Sequence, residues 1–194
     1  MHPLHQLIHS FSPINEKSWQ QLFEHCEELT IAKGKNFIRE GEKEKYIGFI
    51  MEGTMRQYYS RDNGEEITTY FYFENNLVSS YISCINNTPS QITIEALEKT
   101  KLLIFNYSVI NELYNKEKVW ERFGRKIAEY LAAGLEERMV SLLMDKPEDR
   151  YKKLLNSTNK QKILARIPQH YIANYLGITP ISLSRIRNRL SKNK

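Results

Sequence analysis

The chain has 194 residues, 41% hydrophobic and 26% charged, with two cysteines and a net charge of +5. This balance fits a globular protein long enough for two folding units. It excludes a disulfide framework, a four-thiolate iron–sulfur cluster and, with no apolar run of about 18 residues, a membrane-spanning helix.

The opening residues, Met1 to Ser10, lack the basic and apolar regions of a signal peptide, so the protein is expected in the cytoplasm with Cys26 and Cys84 as free thiols. From His2 to Glu28, Leu4, Leu7, Ile8 and Phe11, then Trp19, Leu22, Phe23 and Cys26, recur at helical spacing. Ser12-Pro13 divides them into two short helices. His2, His5 and His9 share one face of the first and are read as surface residues rather than metal ligands. Between Thr30 and Phe105 the texture changes to brief β-rich runs: Phe37-Ile38, Tyr46 to Met51, Met55 to Tyr59, Ile67 to Phe73, Ile92 to Ala96 and Leu102 to Phe105. Glu52-Gly53 and Arg61-Asp-Asn-Gly64 mark turns. Short strands with no helix between them predict a small antiparallel barrel or jelly roll.

Helical periodicity returns from Val109 to Asn115 and runs from Lys116 to Met144, where Phe123, Ile127, Tyr130 or Leu131, Gly134 or Leu135, and Leu142 recur at three- and four-residue steps as an apolar stripe. So long a helix needs a partner surface, and pairing with the same helix of a second subunit is the expected solution. Asp145 to Arg150 reads as a hinge, followed by a short helix from Tyr151 to Asn156. The domain division is then 1–115 for the β-rich unit with its flanking helices, 116–144 for the long helix and 145–194 for the last unit.

That last unit lies in a basic field. Arg150 to Lys194 carries 11 Lys or Arg and no Asp or Glu, leaving residues 1–149 with 17 basic and 23 acidic groups. Such division points to a polyanion, foremost DNA. Within it, Gln169 to Asn188 has the spacing of a helix-turn-helix. Ala173 allows close helix approach, Gly177 permits a left-handed turn, and Thr179-Pro180 reads as cap and first position of the second helix. Ile172, Leu176, Ile178, Leu183, Ile186 and Leu190 fall where a shared core belongs. Ile181, Ser184, Arg185, Asn188, Arg189 and Lys192 fall on or near the outward face. Arg185 is assigned to base readout with Ser182 and Asn188 beside it, and Gln169, Thr179, Arg187, Arg189 and Lys192 to phosphates.

The order of parts resembles the Crp/Fnr family of bacterial transcription regulators. The resemblance spans nearly the whole chain and is carried by Arg39-Glu-Gly-Glu42, Phe49-Ile-Met-Glu-Gly53, Pro89 to Leu97 and Ile167 to Leu190. It implies an α+β fold: an antiparallel β-roll with flanking helices, a long dimerisation helix and a helix-turn-helix with at most a minimal wing. Implied partners are double-stranded DNA, a second copy of the chain, RNA polymerase and a small-molecule effector. Relatives that hold cyclic AMP use a Gly-Glu pair and an Arg-Ser or Arg-Thr pair, whereas here Ser79-Ser80 and Ser90-Gln91 stand in those places. Neither offers the charged, bidentate partner a buried phosphodiester needs, and Glu95 opposes one, so cyclic AMP is not expected and no cofactor is assigned. Ser79, Ser80, Tyr81, Ser90, Gln91 and Thr93 are the candidate effector pocket. Tyr58, Tyr59, Tyr70, Tyr72 and Tyr81 offer phenols for a neutral or aromatic ligand, or simply surface a sheet.

No histidine lies between His25 and His170, which argues against haem, redox and cupin-type metal chemistry. No nucleophile elbow, phosphate-cradling loop or positioned acid–base pair appears, so no catalytic residue is assigned and an enzyme is not expected. The expected function is a sequence-specific DNA-binding regulator whose roll signals through the long helix. The alternative is a ligand-sensing or protein-interaction module whose helix-turn-helix no longer reads DNA, a reading that the apolar Ile181 slightly favours.

Overall fold

The computed structural model describes residues 1–43 and 45–192, so the last two positions of the unit drawn as 145–194 lie outside it. Helices α1 (Pro3–Phe11) and α2 (Glu16–Phe23) open the chain, each begun by a side-chain cap. The His2 ring accepts from Leu4 N, and Asn15 Oδ1 accepts from Ser18 N at 2.8 Å. Their apolar faces, with Leu4, Ile8, Trp19 and Leu22, pack on Ile47, Phe49, Leu103 and Phe105 of the roll and on Trp120 and Phe123 beyond it. Full burial of each such side chain contributes about 1.5 to 3 kcal/mol. His5 is not the surface residue expected: it is buried and stacks on Trp19, ring centroids 4.8 Å apart.

The roll consists of two four-stranded antiparallel sheets. One holds β1 (Glu27–Ile31), β8 (Thr100–Asn106), β3 (Tyr46–Glu52) and β6 (Leu77–Val78) in that order. The other holds β2 (Asn36–Ile38), β7 (Thr93–Ala96), β4 (Met55–Ser60) and β5 (Glu66–Tyr72). Period-2 alternation assigns each strand two fates. Ile50, Met55, Ile92, Ile94, Ala96 and Leu102 fill the space between the sheets. Ile47, Phe49, Leu103 and Phe105 face the helices on the other side. The turn into β4 passes Gly53 at φ +113°, where a Cβ would lie 2.4 Å from Thr100 Oγ1, so only glycine fits.

Two features of the roll depart from expectation. Strand β1 begins at Glu27, where the helical reading had run on to Glu28, and helix α3 (Tyr81–Asn86) stands between β6 and β7, where only strands were expected. Its sequence, Tyr-Ile-Ser-Cys-Ile-Asn, is under two helical turns long; the αL residue Asn87 ends it after six residues.

Helix α4 (Tyr107–Lys116) leads into α5 (Lys118–Met144). They pack tightly at Gly124, where a Cβ would approach the Tyr114 ring to 2.7 Å. The first turns of α5 bury Trp120 and Phe123 against the roll. Beyond Ile127 the apolar stripe continues largely uncovered among the described residues: Leu131, Leu135, Met139 and Leu142 are exposed, Leu135 by 70%. Helices α6 (Pro147–Asn156), α7 (Lys160–Arg166), α8 (Gln169–Tyr175) and α9 (Pro180–Lys192) complete the chain. Helix α6 starts at Pro147, inside the expected hinge, because proline suits the first helical position; α7 was not anticipated. No strand follows β8 among the described residues, so there is no wing there. Among the described residues, no helix is long and apolar enough to cross a membrane.

Candidate nucleic-acid interface

Helices α8 and α9 share one apolar core. Ile172, Ala173, Leu176, Leu183 and Ile186 are buried, and Ile178 and Leu190 pack at its edge. The turn between them places Gly177 at φ +68°, the left-handed conformation that its sequence position implied. Thr179 Oγ1 accepts from Ser182 N at 3.2 Å and donates to Ser182 Oγ at 3.0 Å, closing the first turn of α9. Both hydroxyls proposed for DNA contact therefore also serve the helix cap.

The core turns the opposite face of α9 outward. Ile181, Ser184, Arg185, Asn188 and Lys192 are exposed, and Arg185 has no hydrogen-bond or ionic partner among the described residues. The start of α8 joins this surface, since Gln169 Oε1 accepts from Arg187. Gln169, Ser184, Arg187, Asn188 and Ser191 line an open groove of about 330 Å³. Arg189 points aside and pairs with Glu148 of α6 at 3.0 Å. Thus four of the five assigned phosphate ligands, Gln169, Thr179, Arg187 and Arg189, have partners within the chain, while Lys192 and the base-reading Arg185 have none among the described residues.

Sequence reasoning missed how this unit is attached. Arg56 of β4 is only 2% exposed, and its Nη2 contacts Glu66 at 2.6 Å and Glu95 at 2.9 Å. Its guanidinium is held between the rings of Tyr58, 4.2 Å away on the roll, and Tyr171, 3.8 Å away on α8. Next to it, Asn174 acts as a short strand on the free edge of β5: its Oδ1 accepts from Thr68 N at 2.5 Å, and its Nδ2 donates to Glu66 O at 2.9 Å. Phe71 and Phe73 extend the reading-unit core into the roll, Phe71 packing on Tyr175 with ring centroids 5.3 Å apart.

Further contacts fix α8 and α7. Arg138 of α5 stacks on Tyr175 and donates to its carbonyl, while Arg150 Nε donates to Leu176 O at 2.9 Å; both satisfy carbonyls at the end of α8. Arg166 and Lys162 of α7 meet Glu74, and Arg166 also reaches Glu98. Partial burial would raise the Glu74 carboxyl, but the hydrogen bonds from Arg166 and Lys162 outweigh it and hold it at about 2.

Residues 28–117 match the cyclic nucleotide-binding domain family. Across 93% of this chain and 76% of the other, the sequence is 24% identical to the fumarate and nitrate reduction regulatory protein of Vibrio cholerae. The fold is shared with FixK2 of Bradyrhizobium japonicum at a TM-score of 0.74 and 18% identity, over 87% of this chain and 85% of that one. It is also shared with the c-di-GMP responsive global regulator CLP of Xanthomonas campestris at 0.71 and 12% identity, over 92% and 93%.

The chain shares the fold of these regulators. Like the α+β architecture inferred from sequence, it pairs a β-roll with a long helix and a terminal helix-turn-helix. Within the roll, the residues grouped as an effector pocket are not one cluster. Ser80 and Ser90 are buried together, with Ser90 Oγ donating 2.9 Å to Ser80 Oγ and 2.8 Å to Ile92 O as alternative acceptors. Ser79 and Tyr81 are half-buried, Tyr81 packing edge-on against Tyr107, and Gln91 is exposed. Thr93 alternates with Ile92 and Ile94, so it lies on the outer face of β7 with Glu95; its Oγ1 accepts from Glu40 N at 3.1 Å. The phenols divide similarly: Tyr59 and Tyr70 are largely exposed, Tyr58 braces Arg56, and only Tyr72 turns toward the roll interior, donating to Gln57 Oε1 at 2.6 Å.

Proposed function

We propose that the protein is a sequence-specific DNA-binding transcription regulator that works as a homodimer in the cytoplasm, not an enzyme. The observation that carries this reading is the outward face of α9, where Arg185 stands exposed, and unpaired among the described residues, beside Ser184, Asn188 and Lys192. An arginine fork so presented is suited to guanine O6 and N7, and the neighbouring cations to the phosphates that give affinity and salt dependence. The uncovered stripe of α5, from Leu131 to Leu142, supports pairing with the same helix of a second copy. Two-fold pairing would set two reading helices about one DNA turn apart.

The signal reaching α9 has two routes in this reading. One runs along α5 through Arg138 to the end of α8; the other passes directly from the roll through Arg56, Tyr171 and Asn174. Cyclic AMP is not the effector we assign, because Ser80 and Ser90 offer no cation and Arg56 is committed to two carboxylates. RNA polymerase and a small-molecule effector remain the further partners proposed.

Gel shift with a duplex selected from random sequence provides the test. Arg185→Ala should lose about 1 to 3 kcal/mol of specific binding while keeping the salt-sensitive background. Equal binding of both proteins to selected and scrambled duplexes would instead favour a docking module that does not read DNA.

A further inference from the structure

On the same outward face, one turn before Arg185, stands a side chain of the wrong polarity for water. Ile181 is 67% exposed, the most exposed large hydrophobic residue in the described part of the unit that follows α5. It belongs to neither the core shared by α8 and α9 nor its margin, which is completed by Ile178 and Leu190. Residues at i and i+4 of a helix lie side by side, so whatever Arg185 meets, Ile181 meets close by. The surrounding unit has no acidic residue from Arg150 onward, which specifies a polyanion as the occupant of this face. In the major groove, polar edges dominate, and the apolar feature a branched aliphatic side chain can cover is the C5-methyl group of thymine.

We infer that Ile181 reads a thymine methyl group, and that this thymine lies within about two base pairs of the guanine met by Arg185, since helix neighbours are about 5 to 6 Å apart and base pairs rise 3.4 Å. The inference rests on the DNA-reading function proposed above and adds a specificity residue to it. It also gives the apolar character of position 181 a place within a DNA reader: isoleucine trades a polar contact for one to a methyl group.

The full-length protein is used to select a duplex from random sequence, and each thymine of each half-site is then replaced by deoxyuridine, which removes the methyl group alone. With the wild-type protein, one thymine per half-site should lose about three- to fivefold in affinity on replacement, the effect of one buried methyl group. Ile181→Ala should bind the thymine and deoxyuridine duplexes equally while retaining its dependence on the guanine; Arg185→Ala should keep the methyl preference at lower affinity. Because Ile181 lies outside the core, the alanine variant tests contact rather than folding, and unchanged thermal unfolding confirms that. Specific binding with no methyl-sensitive thymine, or with a preference that survives in Ile181→Ala, overturns this inference and leaves the regulator reading intact. Failure to select any preferred sequence overturns the regulator reading itself, and this assignment with it.

Discussion

Arg56 shows how a charged side chain can be made structural. Removing it leaves two carboxylates, Glu66 and Glu95, facing each other with reduced hydration. A broken buried ion pair costs several kcal/mol, but both carboxylates retain some solvent contact, so Arg56→Met should destabilise by about 2 kcal/mol in urea unfolding. Asn174 makes a different demand. In Asn174→Ala the Thr68 N–H loses its acceptor, and its amide should exchange at least about tenfold faster in hydrogen-exchange experiments, given about 1 to 3 kcal/mol for a group left unpaired. At Gly124 the constraint is steric: Gly124→Ala pushes a methyl into the Tyr114 ring and should lower stability by about 1 to 3 kcal/mol, measured by thermal unfolding. Of these three residues, none stood out in the sequence. A lone arginine in a strand and a lone asparagine in a helix carry no spacing signal, because their partners lie on other elements far along the chain. Gly177 and Ala173 were legible because a helix-turn-helix fixes its requirements within a few residues.

Among the elements, α5 follows its sequence almost residue for residue, since its stripe repeats over many turns and each repeat reinforces the period. Helix α3 has too few residues to establish a period, and α7 (Lys-Gln-Lys-Ile-Leu-Ala-Arg) is similarly short. Strand β1 was absorbed into the preceding helix because Cys26 extends the helical spacing of Trp19 and Leu22. The exposed half of α5 carries a sharp expectation. Leu135→Glu places a charge in the stripe without disturbing Trp120 or Phe123, so light scattering should change from a dimeric to a monomeric mass. A wild-type protein that is already monomeric at micromolar concentration would remove the pairing of α5 from the account.

For the whole molecule, the division of charge was legible in the sequence but its deployment was not. Lys162 and Arg166 belong to the basic tail, yet they turn to Glu74 and Glu98 of the roll, while Arg189 pairs with Glu148 within its own unit. The tail's charge thus both faces solvent and fastens the reading unit to the acidic body. Glu74 has a folded pKa depressed from 4.5 to about 2, so its contribution is present above 4.5 and lost as pH falls through about 2. Small-angle scattering at fixed ionic strength should show the reading unit loosening from the roll across that window, and Glu74→Gln should be looser already at neutral pH. A compact profile unchanged from pH 7 to 2 would disprove this role for the pair. The Asn174 contact has a consequence of its own. Strand β5 is the last of its sheet, and α8 occupies the hydrogen-bonding groups of Thr68 and Glu66 that another protein chain would otherwise find vacant. Any state that swings the helix-turn-helix away bares a ready template for β-type self-association, so crowding or prolonged storage should penalise undocked variants first, through aggregates that grow strand against strand.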